Sequence, residues 1–279
     1  MGKLVLLNVA LGNLGDISER VKGALLAGEY FAVEDTRSFR QLLHFLNISS
    51  EGKIFISYFD HSAPKNETKI LDYLDQGKTV YMVSEAGSPV IADPAYPLLK
   101  KTLEHHHQID SYSGPSAFLM ALELSGFPPY PFSFLGFFPR DHRGKEELLH
   151  KVLIHKGTYI FYETPHRLED TLQCLSEFNP DLEVCCAREM SKKFQQVVRF
   201  RSGDWQTQEG LLTLKGEFTI VIYQGQERDQ EEINSKKTMI LARKIREEGP
   251  RKKDVAKLIG QLLQEDIGLI YQEWSQKEV

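Results

Sequence analysis

Five short stretches of small residues and prolines, each closing a β-type run, restrict this chain to a narrow set of folds. They are Val9-Ala10-Leu11-Gly12-Asn13-Leu14-Gly15-Asp16, Val33-Glu34-Asp35-Thr36-Arg37, Ser84-Glu85-Ala86-Gly87-Ser88-Pro89, Ser113-Gly114-Pro115-Ser116-Ala117 and Phe161-Tyr162-Glu163-Thr164-Pro165-His166-Arg167. Small residues at strand ends leave backbone open to a ligand at the carboxyl edge of an open α/β sheet. One such loop is a tight turn; five in order describe a cleft.

The runs between them support that class. Strands are expected over residues 3–9, 30–33, 53–57, 79–83 and 108–112, and helices over 17–27 (with Asp16 as N-cap), 38–46, 67–75 and 96–104. This alternation implies a mainly parallel sheet covered on both faces. Gly126-Phe127-Pro128-Pro129-Tyr130-Pro131 excludes both helix and central strand and marks a hinge candidate. A second α/β block follows, with strands over 132–137, 158–162, 182–187, 196–200 and 217–223 and helices over 118–124, 145–154 and 167–177. Some of its links are too short for a crossover helix, so its strand directions are expected to be mixed. The reading is therefore two α/β domains, residues 1–117 and 118–225, then a linker over 226–234 and a small helical appendage over 235–279.

Composition excludes several classes. No apolar run approaches the ~20 residues that span a bilayer, and residues 3–7 read as a first strand rather than a leader. Cys174, Cys185 and Cys186 suit a reducing, cytoplasmic setting and form no metal pattern. The net charge of −5 argues against a wholly basic nucleic-acid coat. Between Lys236 and Lys257, however, nine Lys/Arg face three acids. That local surplus is either an RNA-docking patch or a solvated helix face. His105-His106-His107 sits at a helix end, where positive charge suits the dipole, with metal binding as the lesser alternative. The aromatics Tyr130, Phe132, Phe134, Phe137 and Phe138 stack a base or pack a core or dimer surface.

Neither G-x-G-x-x-G nor G-x-x-x-x-G-K-[ST] occurs, so neither a dinucleotide fold nor a P-loop is supported. The loops fit a ligand held largely by main-chain amides, at residues 84–89 and at the helix start after Ser113-Gly114-Pro115-Ser116.

The ordered blocks resemble the tetrapyrrole-methylase superfamily of S-adenosylmethionine-dependent methyltransferases, and within it the bacterial 16S rRNA cytidine 2'-O-methyltransferases. The resemblance runs from about Leu4 to Tyr223. It is carried by Gly12-Asn13-Leu14-Gly15-Asp16-Ile17, Glu34-Asp35-Thr36-Arg37, Gly87-Ser88-Pro89 with Asp93-Pro94, Gly114-Pro115-Ser116-Ala117, residues 161–167, Ala187-Arg188-Glu189 and Lys215-Gly216-Glu217. It implies a homodimer of two-domain α/β subunits with S-adenosylmethionine in the cleft, and 16S rRNA in the small ribosomal subunit as partner. It places Leu11, Glu85, Ala86, Gly87, Ser88, Ile91, Ser116, Ala117, Tyr162, Glu163 and Met190 at the cofactor. The chain departs from the group's pattern at Val9-Ala10, at Glu85 where an Asp is usual, and where His-Asn-Glu is spread over His61 to Asn66-Glu67. The extra methylene of Glu85 sends its carboxylate either into the cleft or away from it.

Methylating a ribose hydroxyl needs in-line positioning and, for the proton, a base. Asp35 is the first candidate and matches the superfamily's proposed acceptor; Glu34 and Glu67 are alternatives. Asp35 equally suits a helix cap. Arg37, Arg167 and Arg188 each follow a strand end, placed either for RNA phosphates or for a buried network with Glu34, Glu163 and Glu189. Two other functions stay open: methylation of a tetrapyrrole or other small molecule, and a non-catalytic RNA-binding or assembly role.

Overall fold

The computed structural model describes residues 1–59, 63–93, 95–208, 210, 212–225, 251 and 254–258. The first sheet consists of β1 (Lys3–Leu7), β2 (Tyr30–Val33), β3 (Ile54–Ser57), β4 (Thr79–Val83) and β5 (Gln108–Tyr112). They lie in the order β3-β2-β4-β1-β5, and all four neighbouring pairs are parallel. Consecutive strand residues point to opposite faces, and both faces are covered. Leu4, Leu6, Ala32, Val80 and Met82 pack with α3 (Ala63–Asp75) and α4 (Ala95–Glu104) through Ile70, Leu74 and Leu98. Val5, Leu7, Phe31, Val33 and Val83 pack with α1 (Glu19–Ala27) and α2 (Thr36–Phe45) through Val21, Leu25, Phe39 and Leu43.

The second sheet has the order β6-β7-β10-β8-β9, built from β6 (Phe132–Phe137), β7 (Gly157–Glu163), β8 (Glu183–Arg188), β9 (Gln196–Arg201) and β10 (Phe218–Gln224). Its directions are mixed: β6 and β7 are parallel, while β8 is antiparallel to β9 and β10. Helix α5 (Ala117–Ser125) closes one face, its Ala121 and Leu122 packed against Ile160, Cys185, Ala187 and Val221. Cys185 and Cys186 are therefore strand packing, and burial pushes both thiols up, Cys185 to about 11. Helix α7 (Leu168–Phe178) follows β7.

Residues 1–138 and 158–223 form one compact unit; residues 139–157 and 224–279 form another. The second contains α6 (His142–Ile154), capped by Asp141, whose carboxylate accepts the Gly144 N–H at 2.8 Å. Lys257 lies 3.9 Å from Glu146 in the same unit. The expected linker and most of the helical appendage lie outside the described residues. Among those described, no helix is long and apolar enough to cross a membrane.

One boundary differs from expectation for a local reason. Asp16 does not cap α1. It ends a short 3-10 turn that Asn13 caps, and the α1 cap is Ser18, whose hydroxyl accepts the Val21 N–H at 3.3 Å.

Candidate functional site

A cavity of about 310 Å³ is walled by loops of both sheets, within the size range of small-molecule sites. From the first sheet come Leu11 after β1, then Ala86, Gly87, Ser88, Ile91, Ala92 and Asp93 after β4. Ser116 and Ala117 enter at the start of α5. The second sheet adds Phe137, the run Tyr162 to Pro165, Met190, and Gly216 to Thr219. The β1 and β4 loops are tied by an antiparallel bridge in which the Val9 N–H donates to Gly87 O at 3.0 Å. Gly87 has φ +66°, and a Cβ there would sit 3.2 Å from Leu11 Cδ2. Backbone shape and close approach both call for glycine.

Ten of the eleven residues expected to face one ligand do gather there: Leu11, Ala86, Gly87, Ser88, Ile91, Ser116, Ala117, Tyr162, Glu163 and Met190. Glu85 does not. Its carboxylate accepts the Ser38 hydroxyl at 2.8 Å and lines a separate small recess with Glu34, Asp35 and Ser84. The longer side chain thus turns toward α2 rather than into the cavity.

The three expected bases are also placed elsewhere. Asp35 caps α2, Oδ1 accepting the Arg37 and Ser38 N–H groups at 2.5 and 3.3 Å. Glu34 accepts from the Glu85 N–H at 3.4 Å. Glu67 is buried and bridged to Lys101, with the Tyr58 hydroxyl 3.4 Å from its other oxygen, so it is a packing ion pair. Of the arginines, Arg167 pairs with Glu163 at 3.4 Å and donates to Phe138 O. Buried Arg188 donates to Lys215 O (2.6 Å), Phe194 O (2.9 Å) and Gln196 Oε1 (3.1 Å). Both guanidiniums thus make bonds within their own chain, in line with the buried-network alternative of the two that the sequence left open. Arg37 is exposed.

Asp93 is the ionisable cavity residue that sequence reasoning passed over. Burial pushes its carboxyl up to about 7; the charges of Glu34 and Glu85 act in the same direction, against a hydrogen bond from Ser84. Burial, then the charge of Asp93, raises the Tyr162 hydroxyl to about 12, so the phenol stays protonated. Tyr162 is held by the rings of Phe134 and Phe137, with centroids 4.9 and 5.6 Å away. The other two cavity carboxylates are engaged. Glu163 accepts from Thr171 Oγ1 at 2.7 Å and the Thr164 N–H at 2.8 Å; Glu217 binds Lys192 at 3.0 Å. Gly216, Glu217 and Asp93 all fall in blocks that carried the resemblance, so the motif itself was the missed signal.

Asp75, His105 and His107 form a further cluster, with ligand-type atoms within 4.8 Å of one another. The Gly2 N–H donates to His107 Nδ1 at 3.3 Å, while His107 Nε2 lies 3.1 Å from Asp75 Oδ1 without hydrogen-bond geometry.

Similarity to known proteins decides the family. The profile of the Tetrapyrrole (Corrin/Porphyrin) Methylases matches residues 3–205. The chain belongs to that family. It is 33% identical over 237 residues to the ribosomal RNA small subunit methyltransferase I of Bacillus subtilis (strain 168), covering 83% of this chain and 79% of that one. The protein of the same name from Thermotoga maritima is 35% identical over 222 residues, 80% of this chain and 98% of its own. Among solved structures, diphthine synthase superposes with a TM-score of 0.62 at 14% identity, over 80% of this chain and 90% of that one. The methyltransferase CobJ gives 0.59 at 17% identity, over 80% and 95%. These two establish the fold alone.

Proposed function

We propose that this family member methylates small-subunit ribosomal RNA with S-adenosylmethionine, on the 2'-oxygen of a cytidine ribose. The observation that carries the reading is the convergence of the β1, β4, β7 and β10 loops and the α5 start on one cavity that also holds the half-buried Asp93 carboxyl, in a chain a third identical to rRNA methyltransferases.

The residues present fit the cofactor. The start of α5 has first-turn N–H groups without partners inside the helix, of which Phe118 meets the Tyr162 hydroxyl, and Ser116 makes no side-chain cap bond, which suits a ligand carboxylate. Leu11, Ile91, Phe137 and Met190 supply apolar wall for a nucleoside. Asp93, when ionised, supplies the counter-charge for a cation. The cofactor, when bound, provides a methyl group on a positively charged sulfur that departs as a neutral thioether.

The remaining work falls to this chain's own groups. Holding the acceptor hydroxyl in line within ~3 Å provides the larger share of acceleration. Asp93, with a carboxyl that ionises near neutrality, is the cavity group best matched to accept the proton, worth a further ~10²–10⁴. Asp35, outside the cavity and capping α2, serves the backbone instead. The residue 235–279 tail, with its cationic stretch, docks the RNA. A homodimer in the cytoplasm, alongside the ribosome, is the working form we infer.

The deciding assay follows labelled methyl from S-adenosylmethionine into intact small subunits, free rRNA and a porphyrinoid. Nuclease-resistant 2'-O-methylcytidine in rRNA is the expected product. Label in the porphyrinoid alone would replace this reading with the small-molecule one, and no transfer despite cofactor binding with the non-catalytic one. Removing residues 235–279 should weaken subunit binding and leave cofactor binding intact.

A further inference from the structure

The turn between β8 and β9 has features that joining two strands does not require. Glu189 and Ser191 both have left-handed backbone, φ +49° and +60°, a conformation that residues with side chains seldom adopt. Ser191 Oγ is buried without a hydrogen-bond partner, although buried hydroxyls normally find one. Next to it, the Lys192 ammonium stands 3.0 Å from Glu189 Oε1 and 3.0 Å from Glu217 Oε2. Gly216, at φ +87°, makes room for this arrangement, since a Cβ there would collide with the Glu189 carboxylate.

To reach both carboxylates the Lys192 stem lies over Gly12 in the β1 loop. A Cβ on Gly12 would fall 3.1 Å from Lys192 Cδ and Cε and nearer still to Cγ. These residues flank the cavity. Leu11, adjacent to Gly12, lines it from the first sheet; Met190, Gly216 and Glu217 line it from the second. The lysine therefore connects two cavity walls that belong to different sheets.

We propose that Lys192 is a positioning residue that acts as a clasp: lying across Gly12, it holds the two walls together over a bound ligand, and release requires it to leave Glu189 and Glu217. This rests on the cavity being the cofactor site. The physics suits a reversible fastening. Glu217 is 77% exposed, so that arm of the clasp is weak and sensitive to salt, while the Glu189 arm is partly buried. The left-handed residues and the orphan hydroxyl keep the closed turn from being deeply stable, as a two-position element requires.

The test measures dissociation of S-adenosylhomocysteine from the full-length protein by stopped-flow displacement, at low and high salt. Lys192→Ala should accelerate release by about tenfold, since such changes act mainly on dissociation rates. Gly12→Ala should do the same by a similar factor, because its methyl lifts the lysine stem without touching the charges. The double variant should be no faster than either single one, as expected of two changes in one contact. Lys192→Met, keeping the stem, should give a smaller rise and abolish the salt dependence. Gly12→Ala decides the matter if a Lys192 variant fails to fold, because the atoms nearest its methyl belong to a flexible side chain. Release rates within twofold of one another across the series would overturn the clasp. A wild-type protein that binds no S-adenosylhomocysteine would instead overturn the cofactor reading.

Discussion

Asp93→Asn isolates a cavity charge whose ionisation changes near physiological pH. The carboxyl rises from 3.8 to about 7 because burial and the neighbouring Glu34 and Glu85 charges disfavour the anion. If a cationic ligand requires the anion, affinity follows the ionised fraction. That fraction is about one tenth at pH 6 and about nine tenths at pH 8, so binding should tighten about tenfold between them and level off above. The free protein should respond in the opposite sense. A carboxyl raised in the folded state adds stability below its unfolded value near 4, and that stability is lost as pH rises through about 7. Asp93→Asn should therefore raise the melting temperature at pH 8 and have a smaller effect at pH 5. A three-unit shift corresponds to about 4 kcal/mol, but the half-buried position leaves solvent screening, and about 1–2 kcal/mol is the realistic gain. Calorimetric titration with S-adenosylmethionine at pH 6, 7 and 8, on both proteins, is the assay. The wild type should show the tenfold slope; the variant should bind weakly and equally at all three. A flat wild-type profile, or an identical slope in the variant, would refute the assignment.

Three further outcomes follow from the geometry. Gly87→Ala forces a side chain into left-handed backbone 3.2 Å from Leu11 Cδ2, and should lower stability by about 1–2 kcal/mol while weakening cofactor binding more than tenfold, read by thermal melting and titration. Glu67→Ala should lower stability by about 1–2 kcal/mol, less than a fully buried pair because Lys101 is half exposed, and should leave cofactor affinity unchanged; a loss of turnover at constant stability would restore it as a base. Arg188→Ala removes a buried guanidinium holding three oxygens and should cost about 3 kcal/mol in denaturant unfolding, with any loss of RNA binding tracking the unfolded fraction.

The sequence alone determined the fold class and the cleft. Strand-ending glycines, serines and prolines follow from local backbone needs, so they remain visible without coordinates. The family resemblance carried by those loops, rather than backbone chemistry alone, placed Leu11, Gly87, Ser116, Tyr162 and Met190 around one ligand, and all five line one cavity. The alternation of apolar runs likewise displayed the parallel first sheet and the mixed second one. Charged side chains were not legible in this way. A carboxylate or guanidinium after a strand can cap a helix, pair across the core or face a cavity, and these outcomes depend on partners distant in sequence. Asp35 took two amides of its own helix, Glu67 took Lys101, and Arg188 took carbonyls of residues 194 and 215. Asp93 became the chemically poised group chiefly because folding half-buried it, with Glu34 and Glu85, 59 and 8 residues before it, brought close enough to add to the effect. Local conformation is written in short-range chemistry; protonation and pairing are decided by what folding brings within a few ångströms.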